Sequence, residues 1–200
     1  FAPRADRLVR LYSVNFHQST TFSLDQIEPD AEAPWSNYVR GVAKYLLEAG
    51  ATLSGIDAVI EGDVPVASGL SSSAAIEVAT ARAFQAVGQV PLDDVQIALL
   101  CQRAENRFVG VNCGIMDQFI ATLGRRGHAL LIDCRSLEYQ RVPLSGAPVR
   151  IVVADTTVRR GLVGSEYNVR RAQCEEAVTI LRQFLPGVQA LRDVSIDDLA

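Results

Sequence analysis

Between residues 56 and 87 the chain changes its hydrophobic period. Ile56, Ala58, Ile60 and Val64 are apolar, and Asp57, Glu61 and Asp63 are interspersed, which predicts a half-buried strand. From Ala74 to Val87 nearly every residue is small or apolar, without Pro or Gly, which predicts a helix buried on most sides. Between them lies a hydroxyl-rich turn, Pro65-Val66-Ala67-Ser68-Gly69-Leu70-Ser71-Ser72-Ser73. Upstream, Leu8 to Phe16 alternates as a strand, with Leu8, Tyr12, Val14 and Phe16 on mixed faces, and the acidic stretch from Asp25 to Ala33 reads as a surface loop. Pro34 and Ser36 start a helix that Gly50 ends, with Tyr38, Val39, Val42, Tyr45 and Leu46 at helical spacing. Downstream, Asp93 or Asp94 caps a helix to about Phe108, with Val95, Ala98, Leu99 and Gln102 as its inner face. After the loop Gly110 to Gly114, Ile115 to Phe119 opens a further helix. His128–Cys134, Tyr139–Val142 and Val149–Asp155 follow as strands, the last with a continuous apolar middle that predicts burial. Thr156 to Gly164 reads as a connection, and Ser165 as the cap of a helix from Glu166 to about Phe184, with Val169, Ala172, Ala177, Ile180 and Leu181 inward. Alternating strands and helices place the chain in the α/β class.

Composition narrows the classes. Apolar residues make up 48% of the chain, enough for a sizeable core. The net charge is −4, the pI is near 5.2, and no basic run exceeds two residues, so neither nucleic acid nor an anionic membrane is an expected partner. No apolar run approaches the ~18 residues of a membrane span. The cysteines at 101, 113, 134 and 174 form no C-x-x-C pair, which argues against a disulfide framework or structural zinc and for a reducing cytoplasm.

The chemistry concentrates at the turn. Gly69 admits backbone angles that a side chain forbids and lets a ligand approach. The first N–H groups of the following helix lack intrahelical partners and carry the positive end of its dipole. Strand, Gly/Ser turn and buried helix form the layout of a phosphate cradle. A plain Ser-capped helix start competes with that reading. No Lys follows at the P-loop position. The fifth position counted from Gly69 is Ser73, which excludes the Gly-x-Ser-x-Gly nucleophile elbow. Glu105 falls near a helix C-terminus, where the dipole disfavours its charge, so it is solvated, paired with Arg103 or Arg107, or bound to a cation. Asp117 stands at a helix N-terminus, which favours its anion, and is either a cap or a functional carboxylate. His17 and His128 lie far apart in sequence, with no supporting pattern, and read as structural.

Pro65-x-x-x-Gly69-Leu70-Ser71-Ser72-Ser73-Ala74-Ala75 resembles the second signature motif of the GHMP small-molecule kinases. Five further blocks resemble the galactokinase branch of that family, in its order and spacing. They are Trp35–Val42, Ala104–Gly110, Cys113–Phe119, His128–Ser136 and Gly164–Arg171. The resemblance implies a ribosomal-S5-like N-terminal domain with a left-handed βαβ unit over residues 1–155. Residues 156–200 would begin a ferredoxin-like second domain. It also implies ATP-dependent phosphorylation of galactose at its C1 hydroxyl, with Mg2+, in a monomeric cytoplasmic enzyme.

By that resemblance Ala67, Ser68, Gly69, Leu70, Ser71, Ser72 and Ser73 wrap the triphosphate. Ser13 and Trp35 lie on the adenine side; a plain strand residue is the simpler reading of Ser13, and a hydrophobic plug competes for Trp35. Ser73 and Glu105 hold Mg2+. Asp117 is the catalytic carboxylate, and Gly114, Asp117 and Tyr167 contact the sugar. The family's N-terminal sugar-binding motif and C-terminal Gly-rich motif are absent, so the chain is expected to be an interior piece, inactive alone. Asp155-Thr156-Thr157 departs from the family's usual Asn-Ser-Asn. A kinase for N-acetylgalactosamine or another sugar, or a non-catalytic galactose sensor, remain the alternatives. Such sensors lose part of the Ser-Ala run, which here is intact.

Overall fold

The structure, a computed structural model, describes residues 1–66, 68–144, 151–154 and 166–199. The chain divides into two compact units, residues 1–160 and 161–200.

The first unit is built on a four-stranded sheet in the order β1-β4-β2-β3, comprising β1 (Ala2–Pro3), β2 (Leu8–Ser13), β3 (Gln18–Ser23) and β4 (Ile56–Ile60). β2 pairs antiparallel with β3, Leu8 opposite Ser23, and parallel with β4, Val9 opposite Ile56 and Ser13 opposite Ile60. A parallel pair needs a long crossover, and α1 (Ser36–Glu48) lies in it. On β2 the buried positions are Val9, Leu11 and Ser13, while Tyr12 is exposed, because period-2 alternation commits one set to the core. The strand stops at Ser13, and Phe16 lies beyond it, exposed.

Helices α1, α2 (Ser72–Val87) and α3 (Asp94–Ala104) share a core with the sheet. Val39, Val42 and Leu46 of α1 meet Val78, Ala81 and Phe84 of α2 and Ile97, Cys101 and Ala104 of α3 there. Asp93 caps α3 through a reciprocal box: its carboxylate accepts the Gln96 N–H at 2.8 Å, and the Gln96 side chain accepts the Asp93 N–H at 2.9 Å. The inner face of α3 is Ile97, Ala98, Leu100, Cys101 and Ala104, while Leu99 is exposed and Gln102 half-buried. The expected face was rotated because the helix is covered by α1 and α2 on one side and by the next helix on another, so apolar spacing alone does not fix its orientation.

α3 runs into a π-helical turn, Glu105–Val109. α4 (Met116–Leu123) and the hairpin β5 (His128–Ile132) with β6 (Tyr139–Pro143) close a second small core of Ala98, Ile115, Phe119 and Leu123, against which Leu130 and Ile132 pack. Gly41 allows α1 to approach this region: a Cβ there would stand 3.1 Å from Phe108 Cβ and 3.2 Å from Ala104 Cβ.

Two further expectations fail. Residues 151–154 form no strand, and Ile151, Val152 and Val153 are exposed at 81, 85 and 63%. A continuous apolar run is buried only where strands flank it and layers cover both faces, and no described strand pairs with these residues. The rest of that expected strand (149, 150 and 155), the connection and Ser165 lie outside the described residues. In the second unit α5 (Glu166–Leu181) forms close to the expected span, but Val169, Ala172 and Ile180 are exposed. Helical periodicity marked the right element there without fixing what covers it.

Candidate functional site

The site forms at the C-terminal end of the parallel pair β2/β4. Both strands end there side by side, and the chain leaves β4 for the Gly/Ser turn. Asn15 ties the two exits together. Its side-chain amide donates to Gly62 O at 2.7 Å and accepts the Gly62 N–H at 3.0 Å. Ser13 is buried at the end of β2, and its Oγ accepts the Phe16 N–H. Phe16 stacks on Trp35 at 6.2 Å between ring centroids, and Trp35 Nε1 donates to Gln18 Oε1 at 2.7 Å. Trp35 is part of the core as well, which favours the plug role for most of its surface.

The turn itself is open. Ser68 Oγ donates to Pro65 O at 2.7 Å, Gly69 has φ +79° with nothing within 4 Å of a Cβ, and Leu70 is exposed. Ala67 lies outside the described residues. Ser71 caps α2 in the left-handed region (φ 62°, ψ 37°), a conformation non-glycine residues seldom adopt, and it makes no side-chain cap hydrogen bond. The N–H groups of the first turn of α2 therefore lack the usual side-chain acceptor. Ser72 and Ser73 stand in that turn.

Ser73 meets Glu105. The Ser73 hydroxyl stands near enough to the Glu105 carboxylate to favour its charged form, so residues 32 positions apart in sequence share one site. Glu105 is 2% exposed and opens the π turn, a local widening of the helix that recurs at functional positions. It also accepts from Gln118 Nε2 at 2.7 Å and from Cys113 Sγ at 3.3 Å. Arg103 turns away from it, to Glu48 at 3.0 Å and over the Tyr45 ring. Burial raises the Glu105 carboxyl above its ordinary range, the Ser73 hydroxyl, Cys113 and Gln118 oppose that, and the charge of Asp117 adds to it. Burial and the Glu105 and Glu77 carboxylates likewise push the Tyr38 hydroxyl up.

Asp117 is the second residue of α4, whose cap is Ile115, so it is not the N-cap. Gly114 precedes that turn, half-buried. Tyr167 stands in the first turn of α5, in the second unit, half exposed.

Glu77 was not legible as a site residue, although it is the only charged side chain between Ala74 and Ala81. It is fully buried one helical turn after Ser73. Burial and then Glu105 hold its carboxyl well above the usual range, against the Gln118 hydrogen bond. An unfolded carboxyl titrates near 4.5, so above that pH the native chain keeps a proton that the unfolded chain has released. The group's stabilising contribution is complete below that window and is lost as pH rises towards the folded-state pKa. Glu77→Gln abolishes this loss. Its melting temperature should gain on wild type as the pH rises above about 5, measured by calorimetry. A difference that does not change with pH would mean that Glu77 is ionised in the fold.

Among the described residues no three His, Cys, Asp or Glu side chains are grouped to hold a metal. Ser73 and Glu105 supply one hydroxyl and one carboxylate, a set that suits Mg2+ only with phosphate oxygens and water completing the shell. Among the described residues no helix is long and apolar enough to cross a membrane.

Residues 37–125 match the family of GHMP kinases, N-terminal domain. The chain carries a GHMP kinase N-terminal domain. It is 57% identical to a galactokinase of Chloroflexus aggregans and 54% identical to one of Chloroflexus aurantiacus, in each case over 99% of this chain and 50% of the relative. The chain thus spans about half the length of the curated relatives it matches. A crystal structure of Lactococcus lactis galactokinase complexed with galactose matches with a TM-score of 0.83 at 33% identity, over 97% of this chain and 50% of that one. The mixed α/β architecture built on β1–β4 and α1–α4 is therefore the GHMP fold of galactokinases, and the Gly/Ser turn lies inside the matched GHMP region.

Proposed function

We propose that the intact protein is a galactokinase, transferring the γ-phosphoryl group of ATP to the C1 hydroxyl of galactose to give galactose 1-phosphate and ADP. The observation that carries this reading is the Ser73–Glu105 contact at the start of α2, one residue-to-residue bond from α4 and Asp117, in a chain 57% identical to a galactokinase. The N–H groups and hydroxyls of residues 67–73 hold the triphosphate, with Ser13 and Trp35 on the adenine side. Ser73 Oγ and the Glu105 carboxylate would hold Mg2+, which when bound would supply charge neutralisation to the phosphates. Phosphoryl transfer asks mainly for positioning and charge neutralisation. Asp117 orients the C1 hydroxyl and receives its proton, while Gly114 contacts the sugar. Residues 156–200 begin the second domain. Four free cysteines support a reducing cytoplasm as the compartment.

The test is ADP release by the intact protein with Mg2+ and ATP, against galactose, N-acetylgalactosamine, glucose and mevalonate. Release with galactose alone is expected. Release with a different substrate keeps the phosphate cradle and replaces the sugar. Binding of ATP and galactose without turnover replaces the enzyme by a sensor.

A further inference from the structure

Gln118 is a fully buried amide. Its Nε2 lies 2.7 Å from Glu105 Oε2 and 3.1 Å from Glu77 Oε2, so the two hydrogens of one amide group reach two carboxyl groups. The three residues come from three elements: α4, the π turn and α2. One oxygen on each side of the Gln118–Glu77 pair, Glu77 Oε1 and Gln118 Oε1, is buried without a hydrogen-bond partner among the described residues. Two unpartnered acceptors are costly to bury. A carboxylic acid joined to a primary amide by one such bond can close a second when the acid keeps its proton. Nothing in the roles given above uses Gln118 or Glu77.

We propose that Gln118, anchored on Glu77, is a positioning residue for phosphoryl transfer: it turns the Glu105 carboxylate toward Ser73 and fastens the first turn of α4, which carries Asp117, to α2. The proposal rests on reading Ser73 and Glu105 as the metal-holding pair. A carboxylate with a free terminal torsion rotates broadly, and an outer hydrogen bond that fixes it preserves metal affinity. Glu77 serves here through its shape and its proton rather than through charge. A neutral amide of the same length preserves that service: its carbonyl accepts from Gln118 Nε2 and its NH2 donates to Gln118 Oε1. A carboxyl group drawn back by one methylene does not.

The experiment measures ADP affinity of the intact protein by calorimetry, with Mg2+ and with the metal chelated. Wild type should bind ADP more tightly with Mg2+. Gln118→Met, which fills the same space, should lose roughly 10-fold or more of that Mg2+-dependent gain, with chelated ADP affinity unchanged. Glu77→Gln should keep the gain within about twofold, and Glu77→Asp should lose it as Gln118→Met does. A full gain in Gln118→Met or Glu77→Asp, or a loss in Glu77→Gln matching that in Glu77→Asp, overturns the clamp. If Gln118→Met does not fold, by circular dichroism, the opposite responses of the two Glu77 variants decide alone. Wild-type affinity indifferent to Mg2+ would instead remove the metal pair itself, and the clamp with it.

Discussion

Asp117→Asn in the intact protein should lower kcat roughly 10²–10⁴-fold, the range over which a positioned acid or base contributes, with KM for ATP little changed. Asn keeps the size of Asp and its ability to accept a hydrogen bond, but it has neither charge nor proton affinity. The side chain stands in the first turn of α4 without serving as its cap, so the substitution leaves the helix start intact. A loss confined to kcat is the mark of an interaction made in the transition state. The check is steady-state kinetics with galactose and ATP varied separately. Full activity in this variant would remove Asp117 from the reaction.

Glu105→Gln should be comparably severe, for a different reason. The Glu105 carboxylate is almost completely buried, accepts from Gln118 and Cys113, and has its charged form favoured by the nearby Ser73 hydroxyl. Replacing one of its oxygens by NH2 sets a donor against donors and removes the carboxylate beside Ser73. Loss of a metal's charge stabilisation is worth several kcal/mol, so kcat/KM should fall roughly 10²–10³-fold. The Mg2+ concentration giving half-maximal velocity should rise at the same time. Kinetics at several Mg2+ concentrations separate the two effects, with thermal melting to establish folding. An unchanged Mg2+ dependence would show that Glu105 acts only within the protein.

The legible parts of the fold were those fixed by local rules. The run from Ala74 to Val87 is helical because nothing in it breaks a helix, and α2 covers it from Ser72. Of the two acids open as the cap of the next helix, Asp93 makes it, and Gln96 closes a capping box with it. Gly69 takes the positive φ its position in the turn suggested. Periodicity named α5 and the inner face of α3 less well. It reports that a helix has an apolar side, while the neighbours decide which part of that side is covered. Ile151-Val152-Val153 shows the same limit, since a strand is completed by partners and not by its own residues.

The site divides in the same way. The sequence by itself determined the turn and the helix starts, which are local properties, and named the candidates Ser73, Glu105 and Asp117 through the resemblance of their blocks to the family's motifs. Only the tertiary structure brought Ser73 against Glu105, turned Arg103 away to Glu48, and seated Gln118 between Glu105 and Glu77. Those contacts span up to 55 residues and depend on how α1, α2, α3 and α4 pack. A buried polar group is satisfied by whatever the fold places beside it, and a linear pattern does not encode that neighbour.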